Sequence, residues 1–534
     1  MKTGGFAAVV ATAGERRIDR EALIAHAAFV FALALTAYLR LNNLAWNPGW
    51  YSDEGSDMDI ARHLMEGHLQ YFAIRGTPLL AARPPLFHLA LIAGFDVWGY
   101  DIMAARSVTV IASVVAAVLL YFATAEMLGR DVALVAALVF AVLPNGLIYN
   151  RIAFSYNFQA PFVVLCLWML WKTSVTHEAR WLLIGALAAG LAYLTALTGL
   201  PLVLSVGVVA LFTRPRYLVW TVPVLLLPGL IYLGALFVLA PQTVQQDLAL
   251  TLSRSSPSFV LQLVQLVWNF TLWFEWAPWM VLGLIGLFMI ESRAVRWIIL
   301  LVFFSMLFNV MRLFGGGDLN NHRYLEMLPI VALGAAYFFL RALRWLMTSF
   351  EDDLAHLCLT RLRRPLPFAI VRQLIAGAAV FFLLFAPLLW TMVWDYYLVS
   401  TPKAPRPTRL DFVLATEPDD AIATTDFVNA HTGPQAVVLA SPTIAWRVHA
   451  NVADFQQALA FEGVPTDNYG RGVPRDRFAF DPSFENATFV IVDDLWRGWA
   501  SQAMPQLKAY TSKIERWPVV WRQGEFVVYQ NPAR

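Results

Sequence analysis

The sequence predicts a polytopic α-helical membrane protein with a small α/β domain at its C-terminal end. The 534 residues are 59% hydrophobic, and apolar runs of about 20 residues, enough to cross a bilayer as a helix, recur along residues 22–398. Beyond them the composition becomes that of a soluble domain. The 39 basic and 37 acidic residues give a net charge of +2, which argues against the broad basic surface of a nucleic-acid-binding protein.

The apolar runs alternate with clusters of lysine and arginine, which mark cytoplasmic turns. This alternation predicts about 11 transmembrane helices. The predicted spans are residues 22–39, 103–128, 131–147, 158–171, two short spans within 181–212, then 217–239, 279–290, 297–314, 325–346 and 368–394. An odd number of spans places a cytoplasmic N-terminus, residues 1–21, opposite an extracytoplasmic C-terminal domain.

Two of the apolar runs have unusual lengths. Residues 181–212 are too long for one comfortable helix and contain Thr198-Gly199-Leu200-Pro201 in the middle, so we expect a tight hairpin of two short spans. Residues 86–98 are short for a full crossing, and we expect them to lie along the membrane interface.

The first outer loop, about residues 41–102, is long enough to indicate a function. It contains a cluster of acidic residues: Asp53, Glu54, Asp57, Asp59 and Glu66. From Asp57 onward the apolar residues recur at helical spacing, which predicts an amphipathic helix lying against the membrane surface with its acidic start facing water. Asp53 has a simpler alternative role, because Ser52 or Asp53 at this position could cap the helix.

Several arginines lie at predicted outer boundaries, where the positive-inside rule does not place them. They are Arg83, Arg106, Arg151, Arg312 and Arg323. The planar guanidinium matches phosphate oxygens, so converging arginines would bind an anionic lipid headgroup. The alternative is that each arginine snorkels to the interface or pairs with a neighbouring acid. Similarly, His322 fits a base or metal ligand, but a single histidine in a polar turn is more often neither.

The C-terminal region begins with a proline-rich linker at residues 399–410 and continues as a domain at 411–534. Short β-rich runs at 436–440, 489–492 and 526–529, with a helix at 419–430, predict a small α/β module outside the membrane.

Taken together, these motifs give the chain a resemblance to the GT-C superfamily of membrane glycosyltransferases, in particular to protein O-mannosyltransferases and the lipid A aminoarabinose transferase. The resemblance covers most of residues 20–400 and is weaker in the tail. It rests on Asp53-Glu54-Gly55 with Ala61, Leu64 and Gly67, on Arg83-Pro84-Pro85 with Gly99 and Arg106, on Arg151, and on His322-Arg323-Tyr324 before Pro329.

The resemblance implies an inverting transfer of a sugar from a polyprenyl-phosphate carrier to a hydroxyl acceptor, which is a protein, lipid or glycan, on the outer face of a bacterial plasma membrane. By position, Asp53 matches the catalytic aspartate and would act as general base, with Glu54 as its supporting acid. The implied carrier-phosphate set is Arg83, Arg323, Arg151, Arg106, His322 and Tyr324.

This chain departs from the family pattern at two places. Ser155-Tyr156-Asn157 occupies the position of an acid in the second outer turn, and the lysine often found near Thr198 is absent. A metal contact through a second acid is therefore not implied, and we expect no cofactor requirement beyond the lipid-linked donor, with a divalent metal left open.

Two other functions stay open. A transporter or flippase of lipid-linked sugars would also need many spans and outer arginines, but it should carry ionisable residues at mid-membrane depth. Here nearly all charges lie in loops or at span ends, which favours an enzyme. An inactive relative that only binds the carrier lipid is the other alternative, because Asn157 replaces an acid.

Overall fold

The computed structural model describes residues 20–76, 83–246, 277–313, 325–359 and 415–534, and scattered positions between 374 and 393. The predicted linker, the side chain of Arg312, and His322, Arg323 and Tyr324 lie outside the described residues, as does most of the predicted last span. The domain boundaries that depend on these segments stay predictions.

The part of the chain before the C-terminal domain is a bundle of apolar helices together with the acidic helix α2 of the first outer loop. Its helices are α1 (Arg20–Leu41), α2 (Ser52–Met65), α3 (Pro85–Trp98), α4 (Ile102–Leu128), α5 (Arg130–Val142), α6 (Pro144–Tyr149), α7 (Ser155–Thr176), α8 (Ala179–Thr195), α9 (Pro201–Thr213), α10 (Leu218–Leu239), α11 (Ala277–Met289), α12 (Arg293–Leu313) and α13 (Leu328–Leu359). Five stretches of the described helices are long and apolar enough to cross a bilayer: Leu23–Leu41, Ile102–Leu128, Ser155–Thr176, Pro215–Leu239 and Leu325–Trp345. Several apolar helices are therefore confirmed, while the count of about 11 spans stays a prediction.

The expected break in residues 181–212 is present. Helix α8 ends at Thr195, a short 3-10 turn covers Leu197–Gly199, and α9 starts with Pro201 at its first position. Proline fits there because the first turn of a helix needs no backbone N–H donor. The two short helices predicted from the glycine and proline in this run are confirmed.

Close helix packing in the bundle depends on glycine. Helices α11 and α13 approach so closely that a Cβ on Gly286 would lie 1.8 Å from the carbonyl oxygen of Gly334. Any side chain at this crossing would separate the helices, and small residues at such crossings are typical of membrane helix pairs.

The C-terminal domain is a five-stranded mixed sheet flanked by helices. Its strands are β5 (Val437–Leu439), β6 (Asn451–Ala453), β7 (Phe489–Val492), β8 (Val519–Gln523) and β9 (Phe526–Gln530), in the order β6-β5-β7-β9-β8. Strand β5 runs parallel to β6 and β7, and β9 runs antiparallel to β7 and β8. Its helices are α14 (Pro418–His431), α15 (Pro442–Ala445), α16 (Phe455–Phe461), α17 (Ser501–Ala503) and α18 (Leu507–Ile514). The predicted α/β module is confirmed, with β6 and β8 as strands the sequence did not indicate.

The C-terminal domain docks on the first outer loop. Strand β1 (Trp50–Tyr51) pairs antiparallel with β4 (Ala415–Thr416), and the rings of Trp50 and Trp446 lie 5.1 Å apart. The loop also contains the hairpin of β2 (Gln70–Tyr71) and β3 (Ile74–Arg75). Tyr71 donates a 3.2 Å hydrogen bond to Asp454, the residue after β6. The carboxyl ends of the parallel strands, where open α/β sheets usually bind ligands, thus contact the outer loop.

Candidate active site on the first outer loop

The acidic stretch forms helix α2, whose N-cap residue is Tyr51. The carboxylate of Glu54 accepts the backbone N–H of Tyr51 at 3.2 Å, so Glu54, and neither Ser52 nor Asp53, caps the helix. Both Asp53 and Glu54 lie in the first turn, where the helix dipole stabilises negative charge. Asp53 is therefore free of the capping role that the sequence left open.

Glu54 forms a fully buried ion pair. Its two carboxylate oxygens accept hydrogen bonds of 2.6 and 2.8 Å from Nε and Nη2 of Arg106, and Oε1 also accepts the backbone N–H of Ala153 at 2.9 Å. Both side chains of the pair are 0% exposed. Such an arrangement joins the outer loop, α4 and the turn before α7, and it supports the position of α2 without contacting solvent.

Arg106 and Arg151 donate their other hydrogen bonds to carbonyl groups near the end of α1. Arg106 binds the carbonyls of Leu44, at 2.7 Å, and Gly49. A larger set of carbonyls accepts hydrogen bonds from Arg151: Leu39 at 3.1 Å, Asn47 at 3.2 Å, and Asn42. The last carbonyls of a helix lack partners within it, and Arg151 supplies one to Leu39 in the last turn of α1. The other carbonyls belong to the segment that follows α1, so both arginines hold that segment in place.

The electrostatics of Arg151 agree with a structural role. Burial, with Arg106 and Arg40 nearby, lowers the pKa of Arg151 to about 9. Both Arg106 and Arg151 are at most 1% exposed, and their donors are used by the protein. We therefore leave both out of the phosphate-binding set proposed below.

Arg83 connects two acids of α2. Its Nη2 lies 2.8 Å from Oδ1 of Asp53, and its Nη1 lies 2.6 Å from Oδ1 of Asp57. The same Oδ1 of Asp57 lies 3.0 Å from Nε2 of His88 on α3. Asp57 and His88 were not among the predicted site residues. The signal was present for Asp57, because it follows Asp53 by one helical turn on the same face.

The charges in this cluster stabilise one another. Burial raises the pKa of Asp57, but Arg83 and His88 lower it by more, so the pKa of Asp57 lies below its usual value. Burial lowers the pKa of Arg83, while Asp57 and Asp53 raise it well above its usual value. Asp57 therefore stays ionised and holds Arg83 as a fixed cation.

The prediction that the acidic start of α2 faces water is wrong for three of its acids. Glu54 and Asp59 are 0% exposed and Asp57 is 4% exposed. Asp59 is bound by Arg62 and by the backbone N–H of Phe72, each at 2.6 Å. Each buried acid has a basic partner: Arg106 for Glu54, Arg83 and His88 for Asp57, and Arg62 and His63 of the same helix for Asp59.

The C-terminal domain also covers α2. A Cβ on Gly55 would lie 2.0 Å from the carbonyl oxygen of Pro442, the first residue of α15. The glycine after Asp53-Glu54 therefore allows α15 to contact the backbone of α2. The helix packs beneath a protein domain, which its amphipathic pattern did not indicate.

Asp53 and Arg83 form the accessible edge of the cluster. Their side chains are 39% and 22% exposed, whereas the acids behind them are buried. No group of three or more His, Cys, Asp or Glu side chains with metal-binding geometry occurs within the described ranges, and metal dependence stays open. A half-exposed carboxylate can accept a proton from one reactant. The fixed guanidinium beside it can bind an anionic group of another reactant.

The architecture, a helical bundle with a C-terminal α/β domain docked on its first outer loop, is a helical GT-C fold like that of ArnT. Residues 82–245 match the family model described as dolichyl-phosphate-mannose-protein mannosyltransferase. The predicted resemblance to GT-C membrane glycosyltransferases is confirmed by this match and by the following likeness to solved structures.

The chain is similar to ArnT from Cupriavidus metallidurans bound to undecaprenyl phosphate, with a TM-score of 0.63 and 15% identity over 96% of this chain and 98% of that one. The apo form of ArnT gives a TM-score of 0.63 and 16% identity, covering 96% and 99% of the two chains. The archaeal oligosaccharyltransferase AglB from Archaeoglobus fulgidus, in complex with an inhibitory peptide and a dolichol-phosphate, gives a TM-score of 0.51 and 14% identity, covering 91% and 71%. No curated protein sequence matches the chain. At these identities the structural likeness shows the fold.

Proposed function

We propose that the protein is an inverting glycosyltransferase that moves a sugar from a polyprenyl-phosphate carrier to a hydroxyl acceptor at the outer membrane face. The observation that carries this proposal is the Asp53–Arg83 pair, a partly exposed carboxylate and guanidinium in front of a buried, fully paired acidic cluster. The family match over residues 82–245 and the carrier lipids bound to the two similar structures support the donor class.

Asp53 is the proposed general base. An inverting transfer requires a carboxylate that removes the acceptor proton on the face of the sugar opposite the leaving group. In the structure Oδ1 of Asp53 is paired with Arg83 at 2.8 Å, and this oxygen must leave the guanidinium before it can reach an acceptor hydroxyl.

We infer that the donor phosphate relieves this restraint. The phosphate would bind the exposed edge of Arg83 and displace Asp53, whose carboxylate is then available to accept the proton of the acceptor hydroxyl. Asp57 holds the second nitrogen of Arg83, so the guanidinium stays in place while Asp53 turns to the acceptor. Arg83 then stabilises the charge that develops on the leaving phosphate.

Arg323, His322 and Tyr324 complete the proposed phosphate contacts on the basis of the resemblance alone. A groove between the apolar helices would hold the polyprenyl chain. The acceptor, the sugar and the bacterial plasma-membrane location follow from the resemblance in the same way and are part of the proposal.

The decisive experiment measures transfer from a panel of radiolabelled polyprenyl-phosphate sugars in membranes that contain equal amounts of the intact protein or Asp53→Asn. We expect the intact protein to consume one donor and Asp53→Asn to lose about 10²–10⁴-fold in rate, the contribution of a general base. Asp96→Asn, an exposed acid on α3, is the matched control and should keep full activity.

Three results would contradict the proposal. Equal donor consumption by the intact protein and Asp53→Asn would remove Asp53 as the base. Passage of the labelled lipid across the membrane without transfer would indicate a transporter or flippase. Binding of the carrier without consumption of any donor would indicate an inactive relative.

A further inference from the structure

A cavity of about 540 Å³ lies at the far end of the bundle from Asp53. Helix α4 runs from Arg106, beside the acidic cluster, to Met127 and Leu128 at the cavity wall. At a rise of 1.5 Å per residue these ends are roughly 30 Å apart along the helix axis, which is about the thickness of the hydrocarbon core. The cavity therefore belongs to the opposite membrane surface.

Two membrane-spanning segments show where the cavity lies across the membrane. The apolar segments Ile102–Leu128 and Leu325–Trp345 both end at its wall, where Leu128 and Trp345 line it. The ends of apolar spans lie at the level of lipid headgroups, and tryptophan is enriched there. The cavity is thus positioned to receive a headgroup from the membrane, with apolar side chains on the side of the acyl chains.

The charges of the cavity combine two cations with one acid. Arg341 and Arg344 both line it, together with Glu291. Nη1 of Arg341 pairs with Glu291, and the Arg341 side chain also hydrogen-bonds Tyr337. Nη2 of Arg344 lies 3.2 Å from Oδ2 of Asp131. All four side chains are substantially exposed, and exposed ion pairs of this kind add little to stability.

An anionic group could therefore bind the two guanidinium groups with little loss of stability from the exposed ion pairs that it would disturb. A guanidinium has five N–H donors, and the side chains of Arg341 and Arg344 are 48% and 67% exposed, so phosphate oxygens, which match the planar fork, can reach them. Glu291, with the hydroxyl-bearing Ser292 beside it, would then accept hydrogen bonds from the group attached to that phosphate.

We propose that this cavity binds one phospholipid of the leaflet opposite Asp53, whose headgroup joins a phosphodiester to a hydrogen-bond donor, as glycerol and ethanolamine headgroups do. The phosphodiester contacts Arg341 and Arg344, the donor contacts Glu291, and the acyl chains follow the apolar wall. The positive-inside rule accounts for arginines at this surface, but it does not require them to share a cavity with an acid. The site is separate from the proposed transfer reaction and does not depend on it.

Native mass spectrometry of the delipidated protein in detergent tests the site. We expect phosphatidylglycerol and phosphatidylethanolamine to bind about tenfold more tightly than phosphatidylcholine with the same acyl chains, because choline offers no donor to Glu291; tenfold corresponds to about 1.4 kcal/mol. The Arg341→Gln/Arg344→Gln variant should lose this binding. Arg216→Gln, which removes an exposed arginine outside the cavity lining, should bind like the intact protein.

Ser292→Trp provides a second test that keeps both arginines. Ser292 lies in an exposed turn between α11 and α12, where a large side chain can fill the cavity without entering the bundle core, and this variant should also lose the lipid. Thermal unfolding in lipid-free detergent checks that each variant is folded.

The site is refuted if the folded variants retain the lipid, or if phosphatidylcholine binds as tightly as the other two. Displacement of the lipid by equimolar inorganic phosphate would show that a free phosphate site, and no lipid site, occupies the cavity.

Discussion

Asp53 and Glu54 are neighbours in sequence, and each is paired with an arginine, but the two pairs are built differently. Glu54 and Arg106 are 0% exposed and share two hydrogen bonds, with further protein groups on both partners. Asp53 and Arg83 are 39% and 22% exposed and share one hydrogen bond between side chains. The comparison shows that burial separates a pair enclosed by protein from a pair that solvent can reach. The following predictions test that distinction.

The largest expected effect is on the buried pair. Glu54→Ala leaves Arg106 as an unpaired buried charge, so we expect a loss of about 3–5 kcal/mol in the free energy of unfolding. The measurement is thermal or denaturant unfolding of the purified protein in detergent. Asp53→Asn, which changes an exposed pair, should stay within about 1 kcal/mol of the intact protein. Equal losses in both variants would refute the division.

The next effect concerns the contact that covers α2. Gly55→Ala places a Cβ 2.0 Å from the carbonyl oxygen of Pro442, and we expect a cost of about 1–3 kcal/mol from overpacking. Gly433→Ala is the control, because a Cβ there has no atom within 4 Å. Limited proteolysis should cleave the Gly55→Ala variant faster near residue 415. If both variants resist cleavage alike, α15 can shift without loss, and the close packing is not required.

A smaller effect is expected for Asp57, the carboxylate that holds Arg83 in position. Asp57→Asn removes the buried carboxylate that holds Nη1, so Arg83 should be less well placed for the donor phosphate. We predict about a tenfold rise in KM for the donor, equivalent to about 1.4 kcal/mol, with a smaller change in kcat. A fall in kcat with KM unchanged would show that Asp57 acts in the chemical step and has no positioning role.

The finest test is a pH dependence at the contact between the two domains. Burial raises the pKa of Asp454 to about 6, and hydrogen bonds from Gln457 and Tyr71 only partly offset this. A carboxyl whose pKa is raised by folding stabilises the folded state most below its unfolded pKa, so this contribution should be lost as pH rises from about 4 to 6. Asp454→Asn, which resembles the protonated form, should show a flatter stability profile over that range. An unchanged slope would mean that Asp454 does not titrate there.

Hydropathy was sufficient to predict the apolar helices, and Thr198-Gly199-Leu200-Pro201 was sufficient to predict the break between α8 and α9, because both signals are local. The partners of the acids were not predictable in the same way. Arg106 lies 52 positions after Glu54, and the two-residue strands β1 and β4 have no sequence pattern of their own. The helical pattern of α2 indicated a buried face, but it could not show that protein, and not lipid, covers the helix. Asp57 was the one site residue that its spacing from Asp53 could have revealed.

The docking of the C-terminal domain has a consequence for biosynthesis. Tyr71 and Asp454, which join the first outer loop to the sheet, are 383 positions apart. At a synthesis rate of about 5–20 residues per second, α2 waits in the growing chain for tens of seconds before its covering domain exists. During this interval its acids lack the contact through Gly55, and the completed site appears only when nearly all of the polypeptide has been made. The contact between Tyr71 and Asp454 therefore forms only near the end of synthesis.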